Sequence, residues 1–290
     1  MTNATTTPRP DGPMLVMLDI DGTLVPEGAI DVPPVTADAA QDVVAAGHHV
    51  VLCTGRSLVG ALPVAASLGL TSGWIITSNG AVTARLAANA PGGYVITDAF
   101  TLDVKRVVAL VRELMAETAV AVEEIGFGYH VTSRFGPGLL NGRQNVVAHD
   151  GLPEATPRLV LHAPGVVPAL LRQVQALGMT AIPTADSWVD VTPPLVSKAT
   201  ALYRVRRRLG VHPDRTLAVG DGVNDIPAFK WPATSIAMGS APAVVRAAAS
   251  ATTGTLEQHG AASILSAVAS GRPVATELAR PVRVPEIAAD

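Results

Sequence analysis

The apolar positions of this chain form short, uniformly hydrophobic runs that alternate with longer helical patterns. Five runs end at small or polar residues: 14–18, 50–53, 74–76, 216–219 and 235–238. Runs this short and this apolar are typical of strands buried on both faces of a parallel sheet. Helical patterns at 36–46 and 58–68 are each followed by a glycine, which favours a helix C-terminus. Strand and helix in alternation predict an α/β fold built on a Rossmann-like parallel sheet.

The pattern changes between residues 83 and 190, where helical and strand-like segments follow one another in mixed order. Helices are predicted at 104–115 and 166–177, and strand-like segments at 93–100, 119–123, 129–133 and 159–162 and around 181 and 189. This mixture predicts an α+β cap domain at 83–190, inserted into a discontinuous core domain at 14–82 and 191–271. The ends, 1–13 and 272–290, are rich in Pro, Thr and Ala, and we expect them to be flexible tails.

Composition narrows the class of protein. The 290 residues are 48% hydrophobic, which is enough for packed aliphatic cores and too much for a disordered chain. A net charge of −3 with scattered basic residues disfavours nucleic acid as a partner, and the cluster Arg204, Arg206, Arg207 and Arg208 is expected to be a solvated helix face. A single cysteine excludes an internal disulfide, and no apolar run reaches membrane-spanning length. We therefore expect a cytoplasmic protein that does not bind membranes.

Polar side chains follow four of the predicted core strands, at the point where each strand ends. Asp19, Thr54, Asn79 and Asp221 occupy these positions. Open α/β sheets bind their ligands in the crevice at the carboxyl ends of the strands. The sequence therefore predicts a single site to which four strand ends contribute.

The strongest chemical signal is the segment DIDGTL at 19–24, directly after the first predicted strand. Its two carboxylates, Asp19 and Asp21, are two residues apart at a strand end and can face one site. A divalent cation between them would offset their mutual repulsion. The alternative is an ordinary turn, because Asp and Gly are common turn residues.

Two further segments follow predicted strands in the same way. The segment GDGVND at 220–225 supplies Asp221, Asn224 and Asp225, whose oxygen atoms suit a hard cation such as Mg²⁺. The segment TGR at 54–56 places a hydroxyl group and free backbone amides at a helix N-terminus, where anions are favoured. Together the segments indicate a site for a metal ion and an anion.

Taken in order along the chain, the DxDGT segment, Thr54, Lys198 and the GDGxND segment resemble the four motifs of the haloacid dehalogenase superfamily of phosphohydrolases. The resemblance covers 14–79 and 192–265. The first and fourth motifs are highly specific, and the other two gain their meaning from them. The resemblance implies a magnesium-dependent phosphatase with a Rossmann-like core.

The insertion lies between the second and third motifs, and it resembles the large α/β cap of the Cof-type subgroup, also called type IIB. That subgroup includes sugar-phosphate phosphatases, and the segments at 78–81 and 237–239 are also similar to it. Leu195 departs from the pattern, since many members have glycine there, and Ala228 and Ser240 replace residues that are often Met and Asn. None of these departures is a catalytic side chain, so they affect substrate choice more than chemistry.

The resemblance also implies roles for individual residues. Asp19 would attack phosphorus to form an aspartyl-phosphate, and Asp21 would protonate the leaving oxygen and then activate water. Mg²⁺ would be held by Asp19, the backbone carbonyl of Asp21, and Asp221, with Asp225 holding the metal or its waters. The residues expected to bind phosphate or substrate are Thr54, Gly55, Arg56, Asn79, Lys198 and Asn224.

Other functions of the same fold stay open. A signalling receiver domain is disfavoured because it needs no second carboxylate like Asp21 and is much shorter. A phosphate-binding protein without activity is disfavoured because all four acidic residues are present. A phosphomutase or phosphotransferase is an alternative, since an aspartyl-phosphate can pass to a sugar hydroxyl. We expect a small phosphorylated metabolite as partner, with a sugar phosphate favoured. The cap residues expected to be solvated are Glu123, Glu124, His130, Arg134 and Arg143.

Overall fold

The structure is a computed structural model and describes residues 12–274. The predicted tails therefore lie outside the described residues, except for 12–13 and 272–274. Within the described part, Val274 is buried and packs in the core, so the core extends slightly beyond the predicted boundary at 271. None of the described helices has the length and apolarity needed to cross a bilayer.

Sixteen strands and eight α-helices lie between residues 12 and 274. The strands are β1 (Leu15–Leu18), β2 (His49–Cys53), β3 (Ser72–Thr77), β4 (Val82–Ala87), β5 (Tyr94–Ala99), β6 (Leu102–Asp103), β7 (Ala119–Glu124), β8 (Gly128–Val131), β9 (Arg143–Val146), β10 (Ala155–Thr156), β11 (Leu159–His162), β12 (Thr180–Ala185), β13 (Trp188–Thr192), β14 (Thr216–Gly220), β15 (Thr234–Ala237) and β16 (Ala251–Thr252). The helices are α1 (Pro34–Ala45), α2 (Leu58–Ser67), α3 (Val104–Leu114), α4 (Val166–Ala176), α5 (Lys198–Leu209), α6 (Ile226–Phe229), α7 (Ala243–Ala248) and α8 (Gly260–Ala269). Each predicted strand and helix has a counterpart among them.

The larger sheet has eight strands in the order β16-β15-β14-β1-β2-β3-β4-β5. Strand β1 lies near its centre, parallel to both β14 and β2, and every residue of β1 is buried. One apolar cluster packs α1, α2 and α8 on one face, and a second packs α5, α6 and α7 on the other. Burial on both faces explains why these strands are continuous apolar runs in the sequence.

Strands β4 and β5 form an antiparallel hairpin that extends the larger sheet beyond β3. The predicted boundary at residue 83 therefore falls inside β4, and the segment at 93–100 pairs with the core sheet. Arg208 on α5 forms an ion pair with Asp98, and the guanidinium of Arg204 lies over the Phe100 ring. These two arginines thus contact the hairpin; Arg207 and Arg208 are exposed, as expected of a solvated face, while Arg204 and Arg206 are partly buried. An alternating strand pattern is the same in either sheet, so periodicity could not assign the hairpin.

The smaller sheet has six strands in the order β12-β13-β11-β7-β8-β9. Its pairs are antiparallel, except for β8 with β9. Helices α3 and α4 cover one face through a buried cluster that includes Val122 and Leu161. On the opposite face, which we call the open face, lie Ala121, Tyr129 and Val160. The chain is thus an α/β protein with a mostly parallel core sheet and a separate inserted mixed sheet.

Gly80 fixes how the connection between β3 and β4 meets the start of α5. Its φ of +103° lies in the region that favours glycine, and a Cβ atom there would overlap the Ser197 carbonyl oxygen. The close approach of the two backbones brings Asn79 and Lys198 into the same region. Glycine is therefore required here for both conformation and space.

We expect Gly80→Ala to lower the free energy of unfolding by about 1–3 kcal/mol more than Gly47→Ala does. Gly47 has a φ of +81° but no atom within 4 Å of an added Cβ, so its variant carries conformational strain alone. Urea unfolding of both variants and the wild type measures the difference. Equal losses would show that the backbone contact with Ser197 is not tight.

Candidate active site

Asp19 lies directly after β1 and next to the end of β14, since its backbone N–H donates to the Val219 carbonyl at 3.0 Å. Gly22 follows with a φ of +70°, and a Cβ atom on it would overlap the Asp221 carboxylate. The Thr23 hydroxyl donates to Asp221 Oδ1 at 2.8 Å. The two acidic segments, 19–24 and 220–225, therefore meet because Gly22 lets the first of them pass close to the second.

Lys198 connects the two acidic segments from the start of α5. Its Nζ lies 2.8 Å from Asp19 Oδ1 and 2.7 Å from Asp225 Oδ1, and its side chain is fully buried. The other oxygen of Asp225 accepts the backbone N–H groups of Asp221 and Gly222 at 3.0 and 2.9 Å. Asp225 thus fixes both the lysine and the loop that carries Asp221.

Burial and mutual repulsion govern the protonation of this cluster. Burial, together with repulsion from Asp225, raises the pKa of Asp19 well above its ordinary value, although Lys198 opposes the shift. Burial also raises the pKa of Asp221 to about 6, against the opposing effect of the Thr23 hydrogen bond. Burial lowers the pKa of Lys198, but Asp19 and Asp225 outweigh it, and the net shift is upward. For both carboxyl groups burial is the largest cause of the shift, and repulsion from neighbouring carboxylates adds to it.

The donor set fits a divalent cation. Ligand atoms of Asp19, Asp221 and Asp225 all lie within 4.8 Å of one another. Three carboxylates against Lys198 leave two negative charges uncompensated when all are ionised, and hard divalent cations prefer carboxylate oxygens. Both oxygens of Asp225 already accept hydrogen bonds, which leaves Asp19 and Asp221 as the more available ligands.

Arg56 is paired with Asp21. Its Nε donates to Asp21 Oδ2 at 2.8 Å, and its Nη2 donates to Oδ1 at 2.6 Å and to the Ala29 carbonyl at 2.8 Å. The N–H of Gly28 also donates to Asp21 Oδ1 at 2.9 Å. The sequence placed Arg56 among the phosphate or substrate ligands, but in this structure its guanidinium orients the second carboxylate. A bidentate pair of this kind fixes the orientation of the Asp21 carboxylate and also balances its charge.

The remaining predicted site residues form the third part of the site. The Asn79 N–H donates to the Thr54 carbonyl at 3.1 Å, and Asn224 Nδ2 donates to Asn79 Oδ1 at 2.9 Å. The Thr54 hydroxyl accepts the N–H of Arg56 at 3.1 Å. A Cβ atom on Gly55 would lie 3.1 Å from Asn79 Oδ1, so a glycine at this position leaves room for the Asn79 side chain. The ends of β2, β3 and β14 therefore meet at one place, as the sequence predicted.

Comparison with known proteins agrees with this geometry. The family model of haloacid dehalogenase-like hydrolases matches residues 16–131 and 169–265, which is more than half of the chain. The chain belongs to this family. Within it, the protein is a phosphatase of the Cof-type subgroup with a type IIB cap, as predicted.

Individual relatives share this architecture over nearly their full length. The 5-amino-6-(5-phospho-D-ribitylamino)uracil phosphatase YitU of Bacillus subtilis is 26% identical, over 87% of this chain and 96% of that protein. A phosphoglycolate phosphatase of Nitrosopumilus maritimus is 23% identical, over 90% and 97%. Among solved structures, the phosphatase BT1666 of Bacteroides thetaiotaomicron has a TM-score of 0.74 at 25% identity, over 91% of this chain and 98% of that chain. The subclass IIB sugar phosphatase BT4131 has a TM-score of 0.70 at 21% identity, over 86% and 96%.

The cap of this phosphatase adds residues that sequence reasoning missed. Glu123 was expected to be solvated, but it is 2% exposed, and its two carboxylate oxygens accept the Ser78 hydroxyl at 2.9 and 2.8 Å. Arg158 and Asp190, which the sequence did not single out, are also buried and form an ion pair at 3.0 Å. The available signal was a charged residue in or beside an apolar strand.

The other four cap candidates remain at least partly accessible to solvent. Glu124 Oε2 lies 2.6 Å from His130 Nε2, with 52% and 19% of these two side chains exposed. Arg134 and Arg143 are exposed, and the Arg143 guanidinium lies over the Phe127 ring. None of these contacts reaches the acidic segments, so the solvated interpretation agrees with the structure at these positions.

The buried carboxyl group of Glu123 predicts a pH-dependent stability. Burial raises its pKa from 4.5 to about 7, although Arg158 and the Ser78 hydrogen bond oppose the shift. The folded state therefore holds a proton that the unfolded state releases between these values, so this group's contribution to stability is full below pH 4.5 and is lost as pH rises towards 7. We expect the unfolding free energy of wild type, relative to Glu123→Gln, to fall across that range and to be level above it.

Urea unfolding at several pH values from about 4 to about 8 measures this difference. Glu117→Gln changes an exposed glutamate of the cap and serves as the control. A difference between wild type and Glu123→Gln that is constant with pH would contradict the raised pKa.

Proposed function

We propose that this phosphatase is Mg²⁺-dependent and hydrolyses a small phosphorylated metabolite, a sugar phosphate or a similar polyol phosphate, through an aspartyl-phosphate on Asp19. The observation that carries the proposal is the cluster at the end of β1. There a buried carboxylate lies 2.8 Å from a buried lysine and beside Asp221, with Asp21 two residues away. A carboxylate held in this way can serve as a nucleophile towards phosphorus.

Each residue then has a defined part in the reaction. A carboxylate oxygen of Asp19 forms a bond to phosphorus as the bond from phosphorus to the leaving oxygen breaks. Asp21 donates a proton to that oxygen, then takes a proton from the water that hydrolyses the aspartyl-phosphate and restores Asp19. Arg56 keeps the Asp21 carboxyl group directed through its two hydrogen bonds. Lys198 supplies positive charge to the phosphoryl oxygens.

The metal would be held by Asp19, the backbone carbonyl of Asp21, and Asp221, with Asp225 supporting the loop. When bound, Mg²⁺ neutralises charge on the transferring phosphoryl group. Thr54, through its hydroxyl group, is the proposed ligand of a second phosphoryl oxygen.

Gly55, Asn79 and Asn224 complete the proposed phosphate pocket. The Gly55 backbone lies where the end of β2 crosses the two asparagines, and Asn224 is fixed by its hydrogen bond to Asn79. Backbone amides and side-chain amides of this kind suit phosphoryl oxygens.

The charges around the site favour an uncharged leaving group. Among the described residues, Arg56, Arg158 and Lys198 are the buried cations, and each is already paired with carboxylates. None is left to neutralise a carboxylate on the leaving group, and the buried acidic residues would repel it. Hydroxyl groups carry no such penalty. This argument favours the ribityl-phosphate and sugar-phosphate chemistry named for two of the similar proteins over the phosphoglycolate named for another.

We expect Asp19→Asn to lower phosphate release by at least about a thousandfold, because an amide cannot act as the nucleophile. The assay measures phosphate released from a panel of phosphorylated metabolites, with Mg²⁺ or with a chelator, and the chelator is expected to stop the wild type as well. Asp38→Asn, an exposed change on α1, is the control. Wild-type rates in Asp19→Asn would refute the nucleophile, and transfer to an added sugar without phosphate release would identify a phosphotransferase.

In the same panel, hexose and pentitol phosphates should have kcat/KM values about tenfold or more above that of phosphoglycolate, because each buried cation is already paired. Raising the ionic strength should change this ranking little, since the charges concerned are buried. Phosphoglycolate as the best substrate would contradict the charge argument while leaving the phosphatase reaction intact.

A further inference from the structure

Three polar contacts join the open face of the smaller sheet to two loops of the core. Arg158 Nη1 donates to the Gly55 carbonyl, Asn79 Nδ2 donates to Asp190 Oδ2 at 3.2 Å, and the Ser78 hydroxyl donates to Glu123. All of their core partners lie in the loops at 54–56 and 78–80. These are the loops that supply Thr54, Gly55 and Asn79 to the proposed phosphate pocket.

Asp190 is the centre of this contact. Its Oδ1 accepts Arg158 Nε at 3.0 Å and Trp188 Nε1 at 3.1 Å, while its Oδ2 accepts Asn79. The Arg158 and Asp190 side chains are each 8% exposed. A buried ion pair is costly unless its remaining donors and acceptors are also satisfied. Here the loops of the core satisfy them, through the Gly55 carbonyl and the Asn79 amide.

The loop at 78–80 needs such support, because Ser78 and Asn79 both have a φ of +53°. A left-handed conformation is energetically unfavourable for residues other than glycine, although less so for asparagine, so contacts with the surroundings help to hold it. On the side of the core, Asn79 Oδ1 accepts Asn224 Nδ2, and on the side of the cap its Nδ2 donates to Asp190. A chain of hydrogen bonds therefore runs from Arg158 through Asp190 and Asn79 to Asn224.

We propose that Arg158 and Asp190 are positioning residues through which the cap, when it lies against the core, orders the two phosphate-binding loops. The proposal rests on the proposed phosphatase site, but it adds a role for two cap residues that touch neither the nucleophile nor the metal ligands. Closing the cap satisfies the buried ion pair and sets Asn79 and Gly55 in one step. The phosphate pocket is then complete only when the cap is in place.

The test uses Asp190→Asn, which removes the charge with little change of shape, and Arg158→Lys, which keeps the charge but loses the fork of donors. Controls are Asp186→Asn and Arg172→Lys, exposed changes in the same domain. The measurements are kcat/KM for a hexose phosphate and for p-nitrophenyl phosphate, and the inhibition constant of inorganic phosphate. Positioning predicts that both substrates lose the same factor, about tenfold to a hundredfold, and that phosphate inhibits less well by a similar factor.

A loss that differs between the two substrates, with unchanged inhibition by phosphate, would instead mean that the pair contacts the leaving group. No loss in either variant would also overturn the proposal.

Hydrogen exchange of the wild type provides a test that needs no variant to fold. Inorganic phosphate with Mg²⁺ should protect the loops at 54–56 and 78–80 together with β11 and β13. Protection of the core loops alone would refute the coupling. A wild type that binds phosphate but hydrolyses no ester would contradict the proposed function, while the exchange result would still decide the positioning role.

Discussion

The crowding of buried carboxylates around one lysine is the constraint on which the rest of the site depends. Strands β1 and β14 are adjacent and parallel, with Leu18 opposite Val219, so the acidic residues that follow them must emerge side by side. Burial is the main cause of the raised pKa values of Asp19 and Asp221, and repulsion from neighbouring carboxylates adds to it. Lys198 offsets only part of this repulsion, and the remaining negative charge favours a divalent cation. The site therefore favours binding of a cation because the negative charge of its carboxylates is only partly balanced.

Much of this arrangement could be predicted from the sequence, since the core strands are apolar runs and each ends in a polar residue. Side-chain contacts were predicted less completely where the two partners lie far apart in the chain. Arg158 lies 103 positions from Gly55, and Asn79 lies 111 from Asp190, so no local pattern reports either contact. The pairing of Arg56 with Asp21 was missed for a similar reason: the resemblance gave the residue a ligand role, and only the fold shows that its donors are already engaged. In the same way, strand pairing decides which sheet the β4–β5 hairpin joins, and no local pattern reports that pairing.

Leu195 shows how a departure from a family pattern can be tolerated. Its φ of +61° is a conformation that favours glycine, which the family resemblance led us to expect there, and a leucine in this conformation costs about 1–2 kcal/mol. Its side chain is 89% exposed, so no packing depends on it. The following helix is fixed independently, since the Ser197 side chain accepts the Thr200 N–H and the Thr200 side chain accepts the Ser197 N–H. Lys198 therefore keeps its contacts with Asp19 and Asp225, and leucine at position 195 costs stability without displacing the lysine.

The core and the cap differ in the charged residues that they bring to the site. In the core, Asp21, Asp19 and Asp225 each have a cationic partner, and in the proposed reaction this arrangement acts on the phosphoryl group whatever it is attached to. In the proposed reaction the leaving group lies towards the open face of the cap, where Glu123, Arg158 and Asp190 are buried. Similar cores can therefore support proteins named for different phosphate esters. Because Arg158 and Asp190 on this face contact the loops at 54–56 and 78–80, their proposed positioning role acts on the geometry of the phosphate pocket and therefore on the rate for every ester alike.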